Sequence, residues 1–156
     1  MEFKDYLSKV ADHFAHRNEI TLGRFTATQF YEEKFEIKWL ASKLKMYSFL
    51  SYLPQITKPD IVEFSKECLS RALTVYKGIP RGLQSGVGSF GVLASENIDA
   101  EAIAYAKARP PKHWAAFEMP IIYDLAKNSL YYYEKTPLWG AMYAKFIREY
   151  TKANFS

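Results

Sequence analysis

Arg81 and Ser85 stand in a run of glycines, and His113 and Glu118 flank the start of an apolar stretch broken by Met119-Pro120. Five of the seven glycines fall between Gly78 and Gly91. Backbone without side chains lets a ligand approach closely, and amides there, helped by Arg81 and Ser85, would suit an anion. No Gly-Lys-Ser/Thr follows, and the next element reads as a strand rather than a helix, so neither a Walker loop nor a dinucleotide fingerprint is present. The competing reading is a turn followed by a strand that carries glycine where a helix packs tightly on a sheet. Glu118, if it faces inward, needs a partner such as Arg81 or Lys112, and a buried paired carboxylate is then the leading polar candidate. Arg81, Ser85, His113 and Glu118 are therefore the ligand-binding candidates.

Other combinations carry less. Ser85 or Ser95, His113 and Asp124 can be written as a triad, but no Gly-x-Ser-x-Gly elbow supports it. His13 and His16 lie three apart without a third ligand at motif spacing, so no metal is expected. Cys68 falls in the apolar face of a helix and reads as a buried thiol. No catalytic residue is assigned, and no cofactor is implied.

The elements that must position these residues follow from periodicity. Residues 2 to 17 read as an amphipathic helix, with Phe3, Tyr6, Leu7, Val10 and Phe14 on one face. Residues 20 to 52 read as a meander of three strands, with breaks near Glu32-Glu33 and Ala41-Ser42; within it 35 to 52 also has helical propensity. A helix from about 59 to 77 is marked by Thr57, Pro59 and Gly78. The glycine-rich strand 82–93 comes next, then a short helix stopped by Pro110-Pro111. Lys112 to Lys135 reads as a hairpin of two long strands turning at Ala126–Ser129, the expected centre of the sheet. Pro120 demands a bulge or an open edge in its first strand. The triple tyrosine 131–133 puts rings on both faces of the second. A helix from about 137 to 152 has a wide apolar face containing Leu138, Trp139, Met142, Tyr143, Phe146, Ile147 and Tyr150.

The expected fold is α+β: one domain over residues 1–156, in the order α-β-β-β-α-β-α-β-β-α. About six strands form a mainly antiparallel sheet, with the helices mainly on one face. The net charge is +4, with 13 basic against 10 acidic residues up to Arg81 and 8 against 7 after it, so no basic stripe marks a nucleic-acid footprint. The one cysteine excludes an internal disulfide framework. No run is apolar and long enough for a membrane span, and the charged N-terminus is unlike a secretory signal; a cytoplasmic location is the expectation.

Three functions are compatible, in this order. The first is a non-catalytic interaction or ligand-binding module that self-associates, with a second copy or another protein as partner. The second is a small-ligand enzyme or carrier with a pocket between strand 82–93 and hairpin 112–135. The third is nucleic-acid binding through a basic, tyrosine-rich surface.

Overall fold

A computed structural model describes residues 1–36, 42–76, 85–114, 116–135 and 141–156. Arg81, Gly78, Gly82, Leu138, Trp139 and the break at Ala41 lie outside them. Among the described residues four helices and seven strands follow one another as α1 (Phe3–Ala11), β1 (Arg17–Leu22), β2 (Phe25–Glu36), β3 (Ser42–Tyr52), α2 (Lys58–Val75), β4 (Ser85–Ser95), α3 (Ala100–Lys107), β5 (Lys112–His113), β6 (Ala116–Asp124), β7 (Ser129–Tyr131) and α4 (Ala141–Phe155). The α+β class holds, and the order is the expected one with the two-residue β5 added.

The sheet is mixed, not mainly antiparallel. β1, β2 and β3 form an antiparallel meander, while β4 runs parallel to both β3 and β6. β5 and β7 pair antiparallel with the two ends of β6, on the edge away from β4. On that edge Pro120 lies between the two pairings, opposite neither β5 nor β7, while on the other side it is opposite Gly91 of β4. The expected hairpin of two long strands is thus one long strand with a three-residue return. Its long strand is not the centre of the sheet but stands next to the edge, parallel to β4 on one side and bordered by the short β5 and β7 on the other.

Helices cover both faces, which corrects the one-sided arrangement. Parallel neighbours require crossovers, and β3-α2-β4 and β4-α3-β6 step across the sheet in the same direction. Right-handed crossovers then put α2 and α3 on the same face. Every residue of β6 is buried, so its other face needs cover too, and α1 and α4 supply it. Tyr6, Val10, Ile147, Tyr150 and Phe155 pack there on Phe30, Met46, Phe90, Met119 and Tyr123. Ile61, Phe64, Cys68, Ala72, Ala102 and Ala106 pack on Phe25, Tyr47, Phe49, Leu93 and Ile122 on the opposite face.

Local chemistry accounts for the element ends. α1 stops at Ala11, short of the expected 17, and β1 begins at Arg17; His13 and His16 are therefore exposed residues of the connection. Gly23, at φ +57°, makes the β1–β2 turn. Arg24 beside it reaches Asp60 and Glu63, latching that hairpin to α2. β2 runs unbroken through Glu32-Glu33. α2 starts where expected: the Asp60 carboxylate accepts from the Thr57 amide and hydroxyl, each at 2.7 Å. The glycines of β4 make room for neighbours. A Cβ on Gly88 would lie 2.3 Å from the Phe117 ring, and one on Gly91 3.1 Å from Cys68 Sγ.

Candidate functional site

Register decides which candidate residues meet. His113 is opposite Ala116 in the β5–β6 pair, so Glu118 is its diagonal neighbour on the same face, within reach of long side chains. The His113 Nε2 lies 3.6 Å from Glu118 Oε1, and Ser65 Oγ of α2 donates to Glu118 Oε2 at 3.2 Å. The Glu118 side chain is 3% exposed and the imidazole 34%, so His113 is the solvent side of the pair. Ser89 is opposite Glu118 in the parallel β4–β6 register; its buried hydroxyl has no hydrogen-bond partner among the described residues.

Cys68 packs on Gly91, one helical turn beyond Ser65. Burial first, then the negative charge of Glu118 and Glu67, pushes its thiol well above the ordinary range. A thiol held in that form is no nucleophile at neutral pH. Burial, with Glu118 second, also raises the Tyr105 phenol.

Of the four candidates, His113 and Glu118 come together. Ser85 begins β4, four residues before Ser89, and its side chain lies outside the described detail, as does Arg81 altogether. The written triad does not assemble. Ser95 and Asp124 are opposite each other at one end of β4 and β6, whereas His113 is opposite Ala116, about 26 Å away along β6. Ser95 instead exchanges hydrogen bonds with Asn97, and Asp124 accepts from the Ala126 and Lys127 amides at 3.0 Å, closing the turn before β7. Strands β4 and β6 are hydrogen-bonded to each other from Val87–Ala116 to Ser95–Asp124. Over that length the two strands are direct neighbours.

Open space occurs elsewhere on the α2 face. A groove of about 490 Å³ is lined by Gln29 and Tyr31 of β2, Lys45 and Tyr47 of β3, and Thr74 and Val75 of α2. Tyr31 and Tyr47 are opposite one another in the ladder, their ring centroids 5.0 Å apart, and form an aromatic floor. The last turn of α2 is the wall. Lys45 Nζ sits 3.8 Å from Glu33 Oε2 and 5.2 Å from the centre of the Tyr76 ring. Lys43 Nζ shares the same carboxylate at 3.8 Å, and Arg71 Nε donates to Gln29 Oε1 at 3.2 Å. Burial, then Glu33, pushes the Tyr31 phenol up to about 12; burial, then Tyr76 and Glu33, raises that of Tyr47. Both are neutral hydroxyls at physiological pH.

Sequence reasoning missed this groove. Its signal was the facing of two period-two rows, Gln29-Tyr31-Glu33 and Lys45-Tyr47-Phe49, whose aromatic and opposite-charge pairs suit adjacent strands. A second, smaller groove of about 300 Å³ between the starts of α2 and α3 is lined by Lys58, Glu101, Ala104, Tyr105 and Ala108. Trp114, in the β5–β6 turn, is 77% exposed. The tyrosine run offers no comparable surface: Tyr132 and Tyr133 enter the α1/α4 side, while half-buried Tyr131 packs on the α2/α3 side.

Among the described residues no three His, Cys, Asp or Glu side chains gather as metal ligands, and no helix is long and apolar enough to cross a membrane. No protein-family model, curated protein or solved structure matches the chain.

Proposed function

We propose that the chain is a non-catalytic, small-ligand-binding module whose site is the groove between the end of α2 and strands β2 and β3. The observation that carries this reading is the Tyr31–Tyr47 floor beside the Lys45 ammonium, in a space of about 490 Å³. Ligand sites typically join an apolar or aromatic lining of this size to a few placed polar groups. The Glu118 cluster is a weaker candidate. Its carboxylate is buried behind His113, and its nearest thiol is held protonated.

A thermal-shift screen of small planar compounds tests the reading, because a ligand bound only by the native state raises the melting temperature. Thr74→Trp supplies the control, since Thr74 is an exposed groove residue and an indole there fills the space without entering the core. Hits should lose their effect on that variant. Hits that persist unchanged count against the groove.

Self-association is a second proposal, resting on β1. That strand pairs only with β2 among the described residues and exposes most of its length, and an open edge can take a strand from a second copy. Sedimentation giving a strict monomer at high concentration removes it.

A further inference from the structure

We infer that β1 docks on the β1 of a second copy, antiparallel about a twofold axis at Asn18, with Arg17 of each copy against Glu19 of the other. The inference rests on the reading of β1 as a self-association edge, and adds the register and the side chains that set it.

The hairpin turn limits which residues can pair. Gly23 and Arg24 form a two-residue turn, so Leu22 and Phe25 on either side of it exchange ladder hydrogen bonds. Hydrogen-bonded and non-hydrogen-bonded pairs alternate along an antiparallel ladder. Leu22, Ile20 and Asn18 therefore direct their amides and carbonyls to β2, and Thr21, Glu19 and Arg17 turn theirs to the open edge. A second β1 meets those groups only where Arg17, Glu19 or Thr21 faces one of the same three, which places the twofold axis on a residue. Arg17, Asn18, Glu19 and Thr21 are exposed, and no described strand pairs on that side.

Side chains choose among the allowed registers. Arg17 and Glu19 project to one face of the sheet, the opposite of that taken by Ile20 and Leu22. Neither has an ion pair or a side-chain hydrogen bond among the described residues. Charges of one sign on an edge strand keep copies apart. A cation and an anion two positions apart do the reverse, because turning the strand about the residue between them sets each against its opposite. With the axis at Asn18, Arg17 lies directly opposite Glu19 twice over, and the two Asn18 amides meet across the axis, where each can donate and accept. An axis at Arg17 or Glu19 sets like charges face to face. An axis at Ile20 or Thr21 leaves Arg17 and Glu19 without each other.

The test is oxidative cross-linking of the full chain carrying one introduced cysteine, Asn18→Cys, Glu19→Cys or Ile20→Cys, beside sedimentation of the native chain. Cys68 is buried, so the native chain supplies the background. Asn18→Cys should form a disulfide-linked dimer fastest, because the pair on the axis is a non-hydrogen-bonded one, whose side chains stand closest. Arg17→Glu and Glu19→Arg should each weaken the dimer about tenfold, since each change acts at both pairs, and the combined reversal should restore it. Circular dichroism of each variant reports its folding. If Asn18→Cys does not fold, the charge reversals at the exposed Arg17 and Glu19 decide alone. Fastest cross-linking at Glu19 or Ile20, or a dimer indifferent to both single reversals, would overturn the register while leaving β1 a self-association edge. A strict monomer at millimolar concentration, or a dimer that cross-links at none of the three positions, would overturn the inference together with the reading beneath it.

Discussion

A carboxylate buried between a strand and a helix destabilises a fold unless its oxygens are occupied. At Glu118, Ser65 donates to one oxygen and His113 faces the other. Removing one partner with Ser65→Ala or His113→Ala should cost about 1–3 kcal/mol, the His113 value at the low end because a third of that side chain meets solvent. Combining either change with Glu118→Gln should give a smaller loss than the sum, with a coupling of about 0.5–3 kcal/mol in urea denaturation. Strict additivity would mean that the three do not form one network. Gly88→Ala is a different kind of probe. Its Cβ would enter the Phe117 ring, so a loss of about 1–3 kcal/mol is expected, largely recovered when Phe117→Leu is added. In the sequence, Glu118 was legible as a group in need of a partner, because it sits among Ala, Phe, Met and Ile. Its partner was not legible, because the β5–β6 register and the placement of α2 select His113 and Ser65 rather than Lys112.

Elements whose ends are set by local chemistry were the readable ones. α2 begins at its Thr-x-x-Asp signal because Asp60 holds Thr57 by two hydrogen bonds. Thr57→Ala should therefore cost about 1 kcal/mol in thermal or urea unfolding. The pH dependence of that contribution has a definite sign. Burial pushes the Asp60 carboxyl up, but the Thr57 and Arg24 hydrogen bonds outweigh it and hold the group below its ordinary 3.8. A lowered folded value means that the stabilisation is complete above 3.8 and is lost as pH falls through the lowered value. The Thr57→Ala deficit should thus shrink in acid; a deficit independent of pH would contradict the assignment. Elements set by long-range contacts were less readable. α1 stops at Ala11 although its apolar spacing continues to Phe14, because Arg17 onward is drawn into pairing with β2. β7 contributes only Ser129–Tyr131, and the tyrosines that follow turn into the α1/α4 core.

Across the whole molecule, α+β composition and nearly the full element order were visible in hydrophobic periodicity. The parallel pairings and the two-sided helix cover were not, because a strand's period does not reveal which strand lies beside it. The heavy use of tyrosine has a global consequence. Burial is the first cause that raises the phenols of Tyr6, Tyr31, Tyr47, Tyr105, Tyr123, Tyr132 and Tyr150 above 10.0. Groups raised in the folded state stabilise fully below 10.0, and that contribution is lost as pH rises through their folded values. Tyrosinate absorbance should therefore lag behind free tyrosine and rise together with loss of circular dichroism. Ionisation of every tyrosine near 10.0 with the native spectrum intact would contradict the burial described.

We propose ligand recognition at the groove at the end of α2 rather than at the buried Glu118 pair. A fragment screen on the isotopically labelled full chain, read amide by amide, separates the two directly. Shifts should cluster on Gln29, Tyr31, Lys45, Tyr47, Thr74 and Val75. Shifts centred on His113, Glu118 and Tyr105, or a screen with no bound fragment, would contradict it.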